Sequence, residues 1–153
     1  MIKILFICHG NICRSPAAEM VMRALTPEYE IASAATTTDE LGNPLYPPMK
    51  RVLDERGIPQ VPHYARQTTY QDYRYYDYII GMDEENRYDL NRIYRGDPDH
   101  KVSLLMEWAG EACEVSDPWY TRDFRKALDD IEQGCRALVA KLKAQPGDNR
   151  DQK

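Results

Sequence analysis

The chain has 153 residues and a formal net charge of −5, a length that suits one domain around one core and a charge that gives no overall attraction for nucleic acid or an anionic membrane. No apolar run approaches the roughly eighteen residues a membrane-spanning helix needs, and the four cysteines, Cys8, Cys13, Cys113 and Cys135, are too few and too unevenly spread for a secreted disulfide framework. A soluble cytoplasmic monomer is expected, with its cysteines used for packing or chemistry.

The opening MIKILFI carries one Lys and a short apolar run broken at once by Cys8-His9-Gly10, so it reads as a strand over 2–7 and not as a signal peptide. Pro16 near the start of 15–25, followed by Ala17, Ala18, Glu19 and Met20, predicts a helix. A second strand is expected over 29–35, a Pro- and Gly-rich loop over 39–48, and a helix over 48–56 closed by Gly57. The stretch 77–82 reads as a third strand. A helix over 84–94 follows, with Tyr88, Leu90 and Ile93 as buried candidates, then a fourth strand over 102–106. The last helix is the clearest, because Phe124, Ala127, Leu128, Ile131, Cys135, Leu138 and Leu142 recur at intervals of three and four.

Strands alternating with helices predict a single-domain α/β fold over 1–144, a three-layer α/β/α sandwich on a parallel sheet, with a polar, disordered tail over 145–153. Ligands of such sheets bind beyond the carboxyl ends of the strands, where the turn from Cys8 to Ser15 falls. Five tyrosines between Tyr70 and Tyr78 are read as a helix surface or a packing cluster.

That turn reads Cys8-His9-Gly10-Asn11-Ile12-Cys13-Arg14-Ser15-Pro16. Gly10 and Asn11 tolerate left-handed backbone, so the loop can curl and aim its amides at one anion. The following helix adds unpaired N–H groups, and Arg14 can meet two phosphate oxygens at once. Cys8 would feel the same donors as a thiolate nucleophile, with Ser15 placed to donate to its sulfur. Cys13, brought close by the curl, can form a reversible disulfide that protects Cys8 from over-oxidation. Cleaving a phosphate ester also needs a proton donor for the leaving oxygen. Asp83 and Asp117 both stand in suitable loops, and position alone leaves both open. Trp119 and Tyr120 offer flat surface for an aryl group, and Asp39 with Glu40 makes an acidic rim that favours basic peptide flanks. His63 can be a base for Cys8 or a structural residue. His9 and His100 have no partner at metal-ligand spacing and the cysteines form no CxxC pair, so neither metal nor cofactor is expected.

CHGNICRSP resembles the Cys-x5-Arg-Ser signature of low-molecular-weight protein tyrosine phosphatases. Further segments match in order: Ser33-Ala34-Ala35-Thr36 with Gly42-Asn43-Pro44, then Gly57-Ile58-Pro59 through His63-x-Ala65-Arg66. After them come Gly81-Met82-Asp83-x-x-Asn86 through Asp89-Leu90-Asn91-Arg92, and Asp117-Pro118-Trp119. Together they span roughly 2–143. The resemblance implies a four-stranded parallel sheet in the order 2-1-3-4 and attack by Cys8 on phosphotyrosine or a small aryl phosphate. Arg14 would clamp the phosphate, Asp117 would be acid and base, and inorganic phosphate would be released. It implies that residues 9 to 15 (His9, Gly10, Asn11, Ile12, Cys13, Arg14, Ser15) bind phosphate, that Asn11, Ser15, Ser33, His63 and Asp83 support the loop, and that Ile12, Asp39, Glu40, Trp119 and Tyr120 wall the substrate. Asp39 departs from the aromatic residue that members often carry there. Two rivals share the fold. An arsenate reductase needs a close pair of resolving cysteines, which Cys113 and Cys135 do not form, and known arginine phosphatases carry Thr where this loop has Ile12. A non-catalytic phosphate-binding module would have no use for Cys8, Arg14 and Asp117 together.

Overall fold

Lys3–Cys8 forms β1, whose four central residues, Ile4 to Ile7, are wholly enclosed, as a continuous apolar run demands of a strand covered on both faces. The computed structural model of the chain describes residues 1–145. The tail expected over 145–153 lies outside the described residues from 146 onward. β1 pairs in parallel with β2 (Glu30–Ala35) on one side and β3 (Tyr78–Gly81) on the other. β4 (Val102–Leu104) joins β3, giving the predicted order 2-1-3-4.

Alternation along β1 sorts the core into two halves. Ile4, Phe6 and Cys8 pack with α1 (Arg14–Leu25), α2 (Pro47–Glu55), α5 (Leu105–Trp108) and α7 (Phe124–Ala144). Leu5 and Ile7 pack on the other face with Tyr73 of α3 (Tyr70–Tyr75) and with Leu90 of α4 (Glu84–Ile93) and Tyr94 after it. The sheet is therefore the middle of three layers. In α7 the predicted stripe is the buried one: Ala127, Leu128, Ile131, Cys135, Leu138 and Leu142 are fully enclosed, and Phe124 is partly so. Leu105 presses so closely on this helix that a Cβ at Gly134 would stand 2.5 Å from its Cγ, so α5 can dock only on a glycine.

Two expectations are corrected. The fourth strand stops at Leu104, and Leu105 and Met106, read as strand, are buried in the one-turn helix α5; a short apolar run does not by itself distinguish the two. Tyr88 is exposed. Asn86, Leu90 and Tyr94 form the buried row at spacings of four, and a residue two from Asn86 points to the opposite side of a 3.6-residue helix, where the Arg92 guanidinium lies 5.5 Å from the Tyr88 ring. The tyrosine segment is, as expected, both packing cluster and helix surface, with Tyr73 and Tyr76 buried and Tyr75 exposed. Two short helices carried no sequence expectation, α3 as a defined element and α6 (Pro118–Thr121).

Candidate active site

The site gathers at the carboxyl ends of β1 and β3. Cys8 ends β1 and Arg14 opens α1, so residues 9–13 must reverse the chain within five positions. Of Gly10 and Asn11, the two residues that tolerate left-handed backbone, Asn11 uses that freedom, with φ 61°. A Cβ at Gly10 would stand 3.0 Å from Glu40 Cγ, so any larger residue there would have to displace that side chain. α1 begins without a side-chain cap and without an acidic residue in its first turn, leaving its N-terminal donors and partial positive charge for an anion in the loop.

A directed network lies behind the loop. Asn11, fully buried, accepts on Oδ1 from the Arg66 N–H at 3.1 Å, which fixes its amide so that Nδ2 donates to Ser15 Oγ at 2.9 Å and to Ser33 Oγ at 3.0 Å. Each hydroxyl accepts one bond and must send its own hydrogen elsewhere. Ser33 donates to Glu19 Oε1 at 2.7 Å, and Ser15, 3.0 Å from Cys8 Sγ, donates to the sulfur. The Asn11 backbone N–H also approaches that sulfur, at 3.3 Å. His63 Nε2 lies 2.6 Å from the Asn11 carbonyl. A carbonyl only accepts, so that nitrogen carries the proton, and the ring bonds the loop backbone, not Cys8.

Arg14 and the two candidate aspartates meet in one cluster. Arg14 Nη2 donates to Asp83 Oδ2 at 2.9 Å and reaches Asp117 Oδ2 at 3.4 Å, while Nη1 donates to the Val115 carbonyl at 3.2 Å. The guanidinium is almost entirely buried. Burial works against its charge, yet Cys8, Asp117 and Asp83 together hold its pKa above the ordinary value. Asp83 is further occupied, because its Oδ1 caps α4 by accepting from the Asn86 N–H at 2.8 Å. Asp117 caps only the short α6, through the Trp119 N–H at 3.0 Å, and its side chain is 32 % exposed against 16 % for Asp83. Both line the cavity, and of the two Asp117 is the more exposed carboxylate. Its loop is tied to β3 by Val115 N–H to Met82 O at 3.1 Å, and to α7 by Ser116 N–H to Asp130 Oδ2 at 2.9 Å.

One cavity of about 840 Å³ is lined by loop residues 8–14 together with Asp39, Glu40, Asp83, Asp117, Trp119 and Tyr120, so the catalytic and wall candidates converge. Ser15, Ser33 and His63 stand behind it as supports. Trp119 and Tyr120 are 66 % and 80 % exposed, which places their rings on the rim and not over the core. Asp39 is held by His9, with Nε2 to Oδ2 at 2.7 Å. Burial, with Cys8 adding to it, pushes the Cys13 thiol far up, so Cys13 stays protonated at neutral pH and does not compete as a nucleophile.

Sequence reasoning missed several participants. Glu19 anchors Ser33 from inside α1, but with Arg23 four residues on, bonded at 2.9 Å, it reads as an ordinary helix-surface pair. Asn86 clamps Met82 N–H and Asp83 N–H through one side-chain oxygen; the Asp83-x-x-Asn86 spacing was its only signal. Tyr46 joins the wall through its N–H to Ile12 O at 2.7 Å and its ring 5.8 Å from that of Phe124. Glu85 and Glu114 add to the acidic rim.

Comparison with known proteins agrees with this geometry. Residues 3–148 match the family model described as low molecular weight phosphotyrosine protein phosphatase. A Gallus gallus protein of that name is 36 % identical, with 91 % of this chain and 94 % of its own length covered. The crystal structure of YfkJ from Bacillus subtilis superposes with a TM-score of 0.89 at 33 % identity, covering 94 % of this chain and 95 % of that one. A Drosophila arginine phosphatase superposes at 0.87 with 25 % identity, over 94 % and 99 %. With its family model spanning nearly the whole domain and its sheet order and loop as expected, this chain belongs to the low molecular weight phosphotyrosine protein phosphatase family.

Proposed function

We infer that the enzyme hydrolyses phosphotyrosine in proteins or peptides, and small aryl phosphates, through a phosphocysteine formed on Cys8. The observation that carries this is the convergence in one cavity of a sulfur receiving two hydrogen bonds and an arginine shared by two aspartates. The Cys8 thiolate attacks phosphorus while Arg14 and the loop amides stabilise the equatorial oxygens. As the P–O bond breaks, Asp117 gives its proton to the departing phenolate. Asp117, now ionised, takes a proton from water, which attacks phosphorus, breaks the P–S bond and releases inorganic phosphate with Cys8 regenerated as thiolate. Asp83 keeps Arg14 in place and takes no proton. Cys13 serves as the partner in a protective disulfide once Cys8 is oxidised to sulfenic acid, with water as the second product.

The wall supports phosphotyrosine over its rivals. Ile12, Trp119 and Tyr120 present apolar surface to the cavity, which suits a phenyl ring better than a guanidinium. Likeness to an arginine phosphatase keeps phosphoarginine as a second substrate to test. Cys135 is enclosed, its thiol directed at the Ala18 carbonyl at 3.9 Å, while Cys113 is exposed, so they are placed unlike a relay for arsenate reduction. All four cysteines are free, which supports a reducing, cytoplasmic setting. Turnover should be compared on phosphotyrosine, phosphoserine and phosphoarginine peptides and on arsenate with a thiol reductant. Phosphotyrosine is expected to lead, and preference for phosphoarginine or arsenate would overturn the assignment.

A further inference from the structure

Beside the catalytic cavity lies a second cleft of about 260 Å³ between α2 and the turn from α6 into α7, and Arg51, Arg122 and Arg125 all line it. The two spaces adjoin, because Arg122 and Phe124 line both. Most cations on this side of the molecule are already neutralised. Lys50 pairs with Asp54 at 3.2 Å, Arg56 with Asp129 at 2.8 Å and Glu132 at 2.6 Å, and Arg125 with Glu55 at 2.8 Å. Arg51, one turn before Glu55 on the same helix, has no carboxylate partner among the described residues, nor has Arg122. The cleft's own carboxylates are engaged elsewhere, Glu55 by Arg125 and Asp123 by capping the Lys126 N–H at 2.9 Å.

Arg122 lines both spaces from the end of α6. It sits at φ 61° as the cap of α6, with its N–H on the Pro118 carbonyl at 2.8 Å, and its guanidinium lies 5.8 Å from the Trp119 ring. The catalytic cavity, by contrast, is lined by Asp39, Glu40, Glu85 and Glu114. The two adjoining spaces thus differ in charge, with carboxylates around the first and two guanidinium groups that lack a carboxylate partner among the described residues at the second.

We propose that the cleft formed by Arg51 and Arg122 is a substrate subsite that takes an acidic side chain close in sequence to the phosphotyrosine. Two guanidinium forks suit a carboxylate, which each can bind through paired N–H groups. An extended peptide advances about 3.3 Å per residue, so a side chain one to three positions from the phosphotyrosine spans the distance to an adjoining cleft. With carboxylates around the catalytic cavity and guanidinium groups at the adjoining cleft, this difference in charge also sets the direction in which the peptide lies. This rests on the phosphotyrosine reading above and adds to it the charge of the substrate's flank.

The test uses phosphotyrosine peptides carrying Glu or Lys at each position within three of the phosphotyrosine. Their kcat/KM is measured on the wild type, Arg51→Ala and Arg51→Glu, each normalised to that protein's turnover of p-nitrophenyl phosphate, which has no flank. In the wild type, Glu is expected to exceed Lys by about 5-fold at a position on one side only, and the ratio should shrink as salt rises. Arg51→Ala should bring the ratio near one, and Arg51→Glu should invert it. A wild type indifferent to flank charge, or a preference that persists in Arg51→Glu, overturns the subsite. Absence of that preference in a wild type that still hydrolyses p-nitrophenyl phosphate defeats the subsite alone, whereas a wild type inert toward p-nitrophenyl phosphate and every peptide defeats the phosphatase reading as well.

Discussion

Asn11 and Tyr120 face the same cavity, yet Asn11 is fully enclosed and makes three side-chain hydrogen bonds, while Tyr120 is 80 % exposed. The contrast runs through the whole site. Its floor, built on Cys8, Asn11, Arg14 and Ser15 with Ser33, Glu19 and Asn86 behind them, is buried, cross-bonded and continuous with the sheet. Its rim, Asp39, Glu40, Trp119, Tyr120 and Arg122, is exposed and tied mostly by single contacts. A buried hydrogen-bonded group cannot be changed without leaving its partner unsatisfied, so the floor admits few residues. Solvated groups can change at little cost. Chemistry therefore sits where substitution is expensive and substrate choice where it is cheap.

The largest expected effects are in the floor and fall on kcat. Cys8→Ser should lower turnover of p-nitrophenyl phosphate by about 10⁴-fold or more, because a hydroxyl at neutral pH replaces the activated nucleophile. Asp117→Asn keeps the cap on Trp119 N–H but removes the proton, and should lower kcat by about 10² to 10⁴-fold while KM changes little. If Asp83→Asn proved the more damaging to kcat with Arg14 still in place, the two aspartates would have to exchange roles.

Stability separates floor from rim more directly. Asn11→Ala deletes three buried side-chain bonds and forces alanine into left-handed backbone. Urea denaturation should register a loss of about 3 kcal/mol. Asn11→Gly loses the same bonds but tolerates φ 61°, so it should recover about 1 kcal/mol of that. Equal losses in the two variants would mean that the left-handed turn is not a source of strain and that the network alone holds the loop.

The elements most legible in the sequence were those whose burial is set by their own pattern. β1 is apolar throughout because both its faces are covered, and the spacing of Ala127, Ile131, Cys135, Leu138 and Leu142 marks α7 without reference to anything else. α3, α5 and α6 span six, four and four residues, too few turns for a period to show. Tyr88 is exposed although its aromatic ring suggests core, because the buried row starts at Asn86, a polar residue whose side-chain oxygen accepts from the Met82 and Asp83 N–H groups. In the site, Cys8, Arg14 and Ser15 could be read from one contiguous turn. Glu19 could not, because its role depends on Ser33 from another strand, and Glu85, Glu114 and Arg51 become rim and cleft residues only once loops far apart in sequence are brought together.

Asp39 is where the rim can be tested with the smallest change. Its carboxylate, 63 % exposed, is held by His9 at 2.7 Å, and it occupies the position where the sequence resemblance implies an aromatic residue. Asp39→Asn keeps the shape and removes the charge, whereas Asp39→Phe removes the charge and restores a ring. Because exposed charge contacts contribute about 0.2–1 kcal/mol, both variants should reduce a preference for Lys-flanked phosphotyrosine peptides by about 3-fold. Only Asp39→Phe should lower KM for p-nitrophenyl phosphate, by about 3-fold, since a ring facing Trp119 and Tyr120 gives the aryl group a second wall. Neither should shift the urea midpoint by more than corresponds to about 0.5 kcal/mol. A loss approaching that of Asn11→Ala would mean that the contact between His9 and Asp39 braces the phosphate loop itself, and the division between a fixed floor and a changeable rim would then have to be drawn beyond Asp39.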